Sequence, residues 1–132
     1  MVSTMTTDQL CHRYLAALNA GDLKAVLDLF TPDAQVSSPL YGLRDTQTFY
    51  AELFEDTSRS DTRLLNIFDQ SSSGSAIALH FEYDWTLASG KMVKFECVDV
   101  FEITDDGERF KKITIIYDTA HLRSDFDASK KI

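Results

Sequence analysis

The amino-acid sequence predicts an α+β fold in which three N-terminal helices pack on an antiparallel β-sheet. Apolar residues follow helical spacing through the first third of the chain and alternate with a period of two through the rest. The length of 132 residues suits one domain with one hydrophobic core. Long strands joined by tight turns form a meander, and such a sheet can curl around a helix and leave a cavity at its mouth.

Capping residues mark where the three helices begin and end. Thr6 and Gln9 have the capping-box pattern, and Ala20-Gly21 ends the first helix. Asp22 caps the second helix and Asp45 caps the third. The predicted apolar faces are Leu10, Cys11, Tyr14, Leu15 and Leu18 for the first helix, Leu23, Val26, Leu27 and Phe30 for the second, and Phe49, Tyr50, Leu53 and Phe54 for the third.

The strands follow from alternation and from the turn residues between them. Thr31-Pro32-Asp33 ends the second helix, and a loop over 39–42 leads to the third. A turn around Gly74 and the pairs Ser89-Gly90 and Asp106-Gly107 join the later strands. We therefore predict strands over 34–38, 62–69, 76–87, 91–104 and 110–118, in a single domain over 1–123 that is followed by a loose tail over 124–132.

Charge and cysteine content exclude several classes of protein. The formal net charge of −8 argues against a nucleic-acid or anionic-membrane surface, because binding phosphates needs a basic stripe. No signal peptide or membrane-spanning run is visible. Cys11 and Cys97 are interpreted as reduced thiols in a cytoplasmic protein. The two cysteines and the three histidines, His12, His80 and His121, are the available soft metal ligands, and their spacing in the sequence is not that of a zinc site. We therefore expect no metal or cofactor.

Asp99 is the residue whose place in the sequence points most directly to a functional site. It shares the apolar face of its strand with Phe95, Cys97 and Phe101, so its side chain is predicted to point into the core or a cavity. Burial favours the neutral acid, which can donate a hydrogen bond where negative charge develops on a substrate oxygen. The structural alternative is an Asp that only hydrogen-bonds a buried Tyr or backbone amide. Tyr14 and Tyr50 lie on apolar helix faces, so each is either a hydrogen-bond donor to a ligand or a core residue that only satisfies a buried polar partner.

Several segments resemble the bacterial ketosteroid isomerases. The sequence RYLAALNAGDL at 13–23 is similar to their first helical hairpin, 29–34 continues it, and Val98-Asp99-Val100-Phe101 resembles the strand that carries their buried Asp. These enzymes belong to the NTF2-like superfamily, with the SnoaL-type polyketide cyclases, scytalone dehydratase and limonene epoxide hydrolase. The resemblance implies three helices on a strongly bent antiparallel sheet, a cone with an internal cavity, and a homodimer.

The resemblance also implies roles for individual residues. Tyr14 and Asp99 match the two donors of the oxyanion hole, and Tyr50 matches a supporting tyrosine. Ser38 takes the place of the catalytic Asp base, and an unassisted hydroxyl is too weak a base to remove a proton next to a ketone. The candidate catalytic residues are thus Tyr14, Asp99 and Ser38, and the candidate ligand-binding residues are Tyr50, Phe30, Phe81, Tyr83 and Phe101.

Three functions remain open at this point. The first is binding of a small apolar molecule with a carbonyl or phenolic oxygen, with isomerase or cyclase chemistry next to a carbonyl. The second is a non-catalytic ligand-binding or dimerisation module whose polar cluster only organises the core. The third is a hydrolase or dehydratase that uses Asp84 or Asp118 with a held water, which requires one of these acids to face the cavity.

Overall fold

The computed structural model describes residues 6–70 and 75–131, and the predicted turn around Gly74 lies outside these ranges. The described residues form four helices and a curved six-stranded mixed sheet. In chain order these are α1 (Thr7–Ala20), α2 (Leu23–Leu27), β1 (Phe30–Ser38), β2 (Gly42–Asp45), α3 (Thr46–Glu55), β3 (Thr57–Asp69), β4 (Ala76–Leu87), β5 (Met92–Ile103), β6 (Phe110–Ile116) and α4 (Arg123–Lys130).

The predicted caps of the first three helices are confirmed. Thr6 and Gln9 form a reciprocal capping box at the start of α1, and Gly21 ends this helix with φ +63°, a conformation that suits glycine. Asp22 accepts a hydrogen bond from the Ala25 amide, and Asp45 accepts one from the Thr48 amide. Each cap satisfies a backbone donor that the helix itself leaves free.

The sheet differs from the prediction in one respect that matters for its shape. Its strand order is β2-β1-β6-β5-β4-β3, and β1 pairs with β6 in parallel, so the sheet is mixed and not purely antiparallel. The remaining pairs are antiparallel. Alternation within a strand does not reveal the direction of its partner. The chain between β1 and β6 runs through β2, α3 and β3–β5, and it brings β6 back parallel to β1.

Three element boundaries were wrong. Phe30 begins β1 and is not part of α2, so Thr31-Pro32-Asp33 lies within a strand and does not end a helix. The segment 42–45, predicted partly as loop, forms β2, and β3 begins at Thr57 and not at residue 62. In addition, the segment interpreted as a loose tail carries α4, with Phe126 and Ser129 buried.

The concave face of the sheet and the helices enclose the core. On β4 the six predicted inward residues are buried, and on β5 Val93, Cys97, Asp99, Phe101 and Ile103 are buried as predicted. Register irregularities occur in β3 near Leu64 and in the β5–β6 pair near Ile103. Such bulges bend strands, which helps the sheet to curve around α1 and α3.

Candidate functional site

The inner end of the curved sheet holds a cavity that all three candidate catalytic residues line. Tyr14 reaches it from α1, Ser38 from the end of β1 and Asp99 from β5. Its volume is about 30 Å³, room for two or three water molecules. Its other walls are mainly aromatic and aliphatic: Leu18, Tyr41, Phe49, Leu53, Phe81, Tyr83, Trp85, Phe95, Cys97, Ile115 and Tyr117.

Asp99 is the one carboxyl group among the residues that line this cavity, and its side chain is 1% exposed. Burial raises its pKa from 3.8 to about 7, because a carboxylate loses the hydration that stabilises its charge. The Cys97 thiol and, to a smaller degree, the Tyr14 phenol act in the opposite direction. Among the described residues no Lys, Arg or His lines the cavity walls, so none of them holds the acid ionised. Near neutral pH, both forms of Asp99 are populated.

Tyr14 is buried beside Asp99 and remains a proton donor at every physiological pH. Burial raises the pKa of Tyr14 well above 10, and the neighbouring Tyr50 and Asp99 add to this effect. The Tyr14 and Tyr50 hydroxyl oxygens are 2.8 Å apart and share one hydrogen bond. This bond links the Tyr14 hydroxyl to α3, and the supporting role that the sequence analysis expected for Tyr50 stays a prediction.

Cys97 is a residue of the site to which the sequence analysis gave no role. Its thiol donates to Asp99 Oδ1 over 3.0 Å, and both groups are buried. Burial, with Asp99 as the next cause, raises the pKa of Cys97 far above its ordinary value, so the thiol keeps its proton. The alternation of β5 had placed Cys97 on the same face as Asp99, two residues away, and that spacing was the available signal.

Ser38 occupies the cavity wall at the end of β1 and is 8% exposed. Its hydroxyl oxygen accepts a hydrogen bond from the Tyr41 amide at 3.4 Å. Burial raises the pKa of the nearby Tyr117, and its interaction with Ser38 lowers it in part. The Ser38 hydroxyl therefore contacts the Tyr41 amide and the Tyr117 phenol, and no hydrogen bond joins it to Asp99, the carboxyl group of the same cavity, among the described residues.

The candidate ligand-binding residues fall into two groups. Phe81 and Tyr83 line the cavity, and the Tyr83 and Ser60 hydroxyl oxygens are 2.7 Å apart. Tyr50, Phe30 and Phe101 are absent from its walls and form an aromatic layer behind Tyr14. In this layer Phe101 stacks on Phe110 at 3.9 Å between ring centroids, and it meets the Tyr14 ring edge-on at 5.1 Å. Phe30 packs on Tyr50 at 5.6 Å.

Neither acid of the hydrolase alternative lies on the cavity wall. Asp84 points to the outer face of β4 and is 3.7 Å from the Lys94 ammonium. Asp118 is exposed and accepts a hydrogen bond from the Ala120 amide at 2.9 Å, which closes a turn. Within residues 6–70 and 75–131 no cluster of His, Cys, Asp and Glu side chains could hold a metal ion. In the same ranges no helix is long and apolar enough to cross a membrane.

Helix α4 packs against two side chains that form the cavity wall. Phe126 meets the Tyr41 ring edge-on at 5.4 Å and lies 5.8 Å from the Trp85 ring. Lys130 forms ion pairs with Asp56 at 2.9 Å and Glu52 at 3.2 Å, and Asp56 accepts a hydrogen bond from the Tyr41 hydroxyl. The C-terminal helix therefore holds Tyr41 in place from outside.

The curved six-stranded sheet with helices on its concave face agrees with a family assignment from the sequence. The SnoaL-like domain family matches residues 11–113, which is most of the chain. The protein belongs to this family, within the NTF2-like class. Among curated protein sequences, none matches this chain.

Solved structures with the same fold cover nearly the whole chain. A putative polyketide cyclase from Pseudomonas putida is 23% identical, with a TM-score of 0.69 over 86% of this chain and 92% of that one. BvnE pinacolase from Penicillium brevicompactum is 15% identical, with a TM-score of 0.75 over 99% and 97%. A hypothetical protein from Catenulispora acidiphila with a ketosteroid isomerase-like fold is 11% identical, with a TM-score of 0.76 over 91% and 92%. At these identities the likeness establishes the fold alone.

Proposed function

We propose that this protein binds a small, flat, mainly apolar molecule through a carbonyl or phenolic oxygen, and that Tyr14 and Asp99 donate hydrogen bonds to that oxygen. The observation that carries the proposal is the Asp99 carboxyl group. It is fully buried beside Tyr14 in a cavity with no cationic side chain on its walls, and its pKa is raised to about 7. A neutral carboxylic acid kept inside an apolar cavity is a donor for an oxygen that gains negative charge.

The two donors suit chemistry at a carbon next to a carbonyl group. When a proton leaves that carbon, the charge moves to the oxygen, and hydrogen bonds from Tyr14 and protonated Asp99 stabilise the enolate. Isomerisation and cyclisation both pass through such a species. The likeness in fold to a putative polyketide cyclase supports this class of reaction. Ser38 supplies no efficient base, so we propose oxyanion binding as the primary property and slow catalysis at most.

The aromatic walls favour a flat ligand. The Tyr83 and Phe95 rings stack at 5.2 Å between centroids, and the Phe95 and Tyr117 rings lie 4.5 Å apart. Ligand pockets usually enclose about 300–1,000 Å³, so at about 30 Å³ the cavity has to open to admit a bicyclic molecule. Phe95 and Tyr117 are only partly buried, which gives them room to move outward.

The experiment is a fluorescence titration with 2-naphthol, a phenolic mimic of an enolate. Trp85 is the only tryptophan in the chain and lines the cavity, so its emission reports occupancy directly. We expect Tyr14→Phe and Asp99→Leu, which each remove one donor, to weaken binding about 10-fold or more, the value of one hydrogen bond to a charged or buried group. Cys11→Ala is the control, because Cys11 is buried in the core and is absent from the cavity walls. If neither of the first two substitutions weakens the binding of 2-naphthol, the proposal is wrong.

The small cavity favours a second candidate, a non-catalytic module whose polar cluster organises the core. In that case the Tyr14–Tyr50 and Cys97–Asp99 hydrogen bonds serve only to satisfy buried polar groups. Replacing Asp99 by Leu would change the free energy of unfolding, and 2-naphthol would bind neither the original protein nor the variant. Binding to the original protein and loss in Asp99→Leu would instead support the oxyanion site.

The remaining parts of the proposal concern partners and location. We propose a homodimer formed through the outer face of the sheet, where Phe68 and Ile116 are more than half exposed.

The two free, buried cysteines, Cys11 and Cys97, fit the cytoplasmic location that the sequence analysis predicted. No nucleic-acid surface is proposed for a chain of net charge −8.

A further inference from the structure

The Asp99 carboxyl group has two oxygens, and the protein treats them differently. Oδ1 accepts the hydrogen bond from the Cys97 thiol at 3.0 Å. In a protonated carboxyl group the carbonyl oxygen accepts a hydrogen bond better than the hydroxyl oxygen does, so the S–H donor at Oδ1 favours Oδ1 as the carbonyl oxygen. The acid therefore carries its proton on Oδ2 as long as the thiol keeps its own.

The Cys97 thiol keeps its proton because it is buried. Cys97 is 2% exposed, and both its burial and the nearby Asp99 carboxyl oppose formation of a thiolate. A nucleophilic cysteine needs the opposite surroundings, with a lowered pKa. Cys97 thus acts on a ligand only through Asp99, as a fixed donor to Oδ1.

We propose that Cys97 is the positioning residue of the site: its thiol holds the Asp99 carboxyl group in one orientation and assigns the acidic proton to Oδ2, from which the proton can be donated to a ligand. This inference deepens the proposed oxyanion site and rests on it for the ligand. The orientation of the carboxyl group itself depends only on residues of this chain.

Other titratable groups surround Asp99, and none replaces Cys97. Each of them is a neutral thiol or phenol whose pKa burial raises further, so none contributes charge near pH 7. They are Cys11 and Tyr14 on α1, Tyr50 on α3, Tyr83 on β4 and Tyr117 just beyond β6. Tyr14 is the only one of these whose hydroxyl group opposes the rise in the Asp99 pKa, and its effect is smaller than that of Cys97.

The direct test is a carbon-13 NMR titration of the Asp99 carboxyl carbon between pH 5 and pH 9, in the protein without ligand. The Asp99 signal is assigned by its loss in Asp99→Asn. In Cys97→Ala the carboxylate loses a donor while its burial is kept, so we expect its pKa to rise by about one pH unit. Cys97→Ser restores a donor, so the Asp99 pKa should return to the original value or fall below it.

Two further variants control for the loss of a buried thiol as such and for the cavity that alanine leaves at position 97. Cys11→Ala removes another fully buried thiol that makes no hydrogen bond to Asp99, so the Asp99 pKa should stay unchanged. Cys97→Val fills the space of the thiol with an apolar group that suits a strand, and it should raise the Asp99 pKa as Cys97→Ala does. It takes the place of Cys97→Ala in the titration if the cavity left by alanine impairs folding. An unchanged Asp99 pKa in both the Ala and Val variants, or equal values in Cys97→Ser and Cys97→Ala, would overturn the proposal.

The 2-naphthol titration separates this inference from the proposed function. Because the neutral acid is the donor, affinity should fall as pH rises through the Asp99 pKa, and this fall should move to higher pH in Cys97→Ala. If the original protein binds no naphthol at any pH, the proposed oxyanion site is wrong. The NMR titration still decides whether Cys97 orients Asp99.

Discussion

At the scale of single residues, Asp99 couples the stability of the fold to pH. Its pKa is about 7 in the folded protein, against an ordinary value of 3.8, and the cause is burial. Below pH 3.8 the group is protonated in both states and favours neither. Between pH 3.8 and 7 the unfolded chain releases this proton and the folded protein keeps it, so the free energy of unfolding falls as pH rises. Above pH 7 the contribution is constant.

We therefore predict that Asp99→Asn becomes more stable relative to the original protein as pH increases from 4 to 7. The amide keeps the size of the side chain and cannot ionise, so it avoids the cost of a buried charge. The gain should be on the order of 4 kcal/mol, from about three pH units at 1.36 kcal/mol each. Urea unfolding at several pH values measures it, and the other titrating groups cancel in the difference. A difference that stays flat over this range would contradict the buried-acid interpretation.

The inward direction of Asp99 could be predicted from the sequence, while its contacts could not. Strict alternation from Val93 to Ile103 fixes which face of β5 each residue occupies, and burial confirms it. The Cys97–Asp99 hydrogen bond depends on the rotamers of the two side chains, which alternation does not encode. Likewise Tyr41 lies in a loop without periodicity, and nothing in the sequence indicated that it lines the cavity.

At the scale of elements, the parts with strong local signals were predicted and the parts stabilised by tertiary contacts were not. Caps defined α1 and α3 to within a residue or two, because capping is a local interaction. Helix α4 has no side-chain cap and a largely polar sequence, so local patterns did not indicate it. It is held by Phe126 against Tyr41 and Trp85, and by the ion pairs of Lys130.

This arrangement predicts that α4 stabilises the cavity wall through Phe126. We expect Phe126→Ala to lower the free energy of unfolding by about 3 kcal/mol, the lower end for removing a buried aromatic ring. The Trp85 fluorescence maximum should shift to longer wavelength, because the indole loses the packed Phe126 ring and becomes more exposed to water. Asp127→Ala, an exposed position on the same helix, is the control and should change stability by less than about 0.5 kcal/mol. Equal denaturant midpoints for the two variants would show that α4 does not support the wall.

At the scale of the whole molecule, the outer face of the sheet is divided into an apolar part and a charged part. One row of paired residues crosses the sheet from β3 to β2: Phe68, Ala78, Val100, Thr114, Ser37 and Leu43. The next row adds Val98 beside Ile116. Toward the other end of β4 and β5 the outer face carries Glu82 beside Glu96, and Asp84 beside Lys94. An exposed apolar area of this kind with a charged border is typical of a protein interface.

The proposed homodimer uses the apolar part of this face, and this predicts a specific effect of charge. In Ile116→Lys each subunit would place an ammonium group within the apolar part of the proposed interface without a partner, so the protein should become monomeric at micromolar concentration. Ile116 is 53% exposed in the subunit, so its folding should be unaffected. Met92→Lys introduces the same charge at a site that is 51% exposed but lies at the charged end of β5, and it should remain dimeric. Sedimentation velocity distinguishes the two species. A monomeric original protein at tens of micromolar, or an Ile116→Lys variant that stays dimeric, would place any self-association elsewhere on the surface.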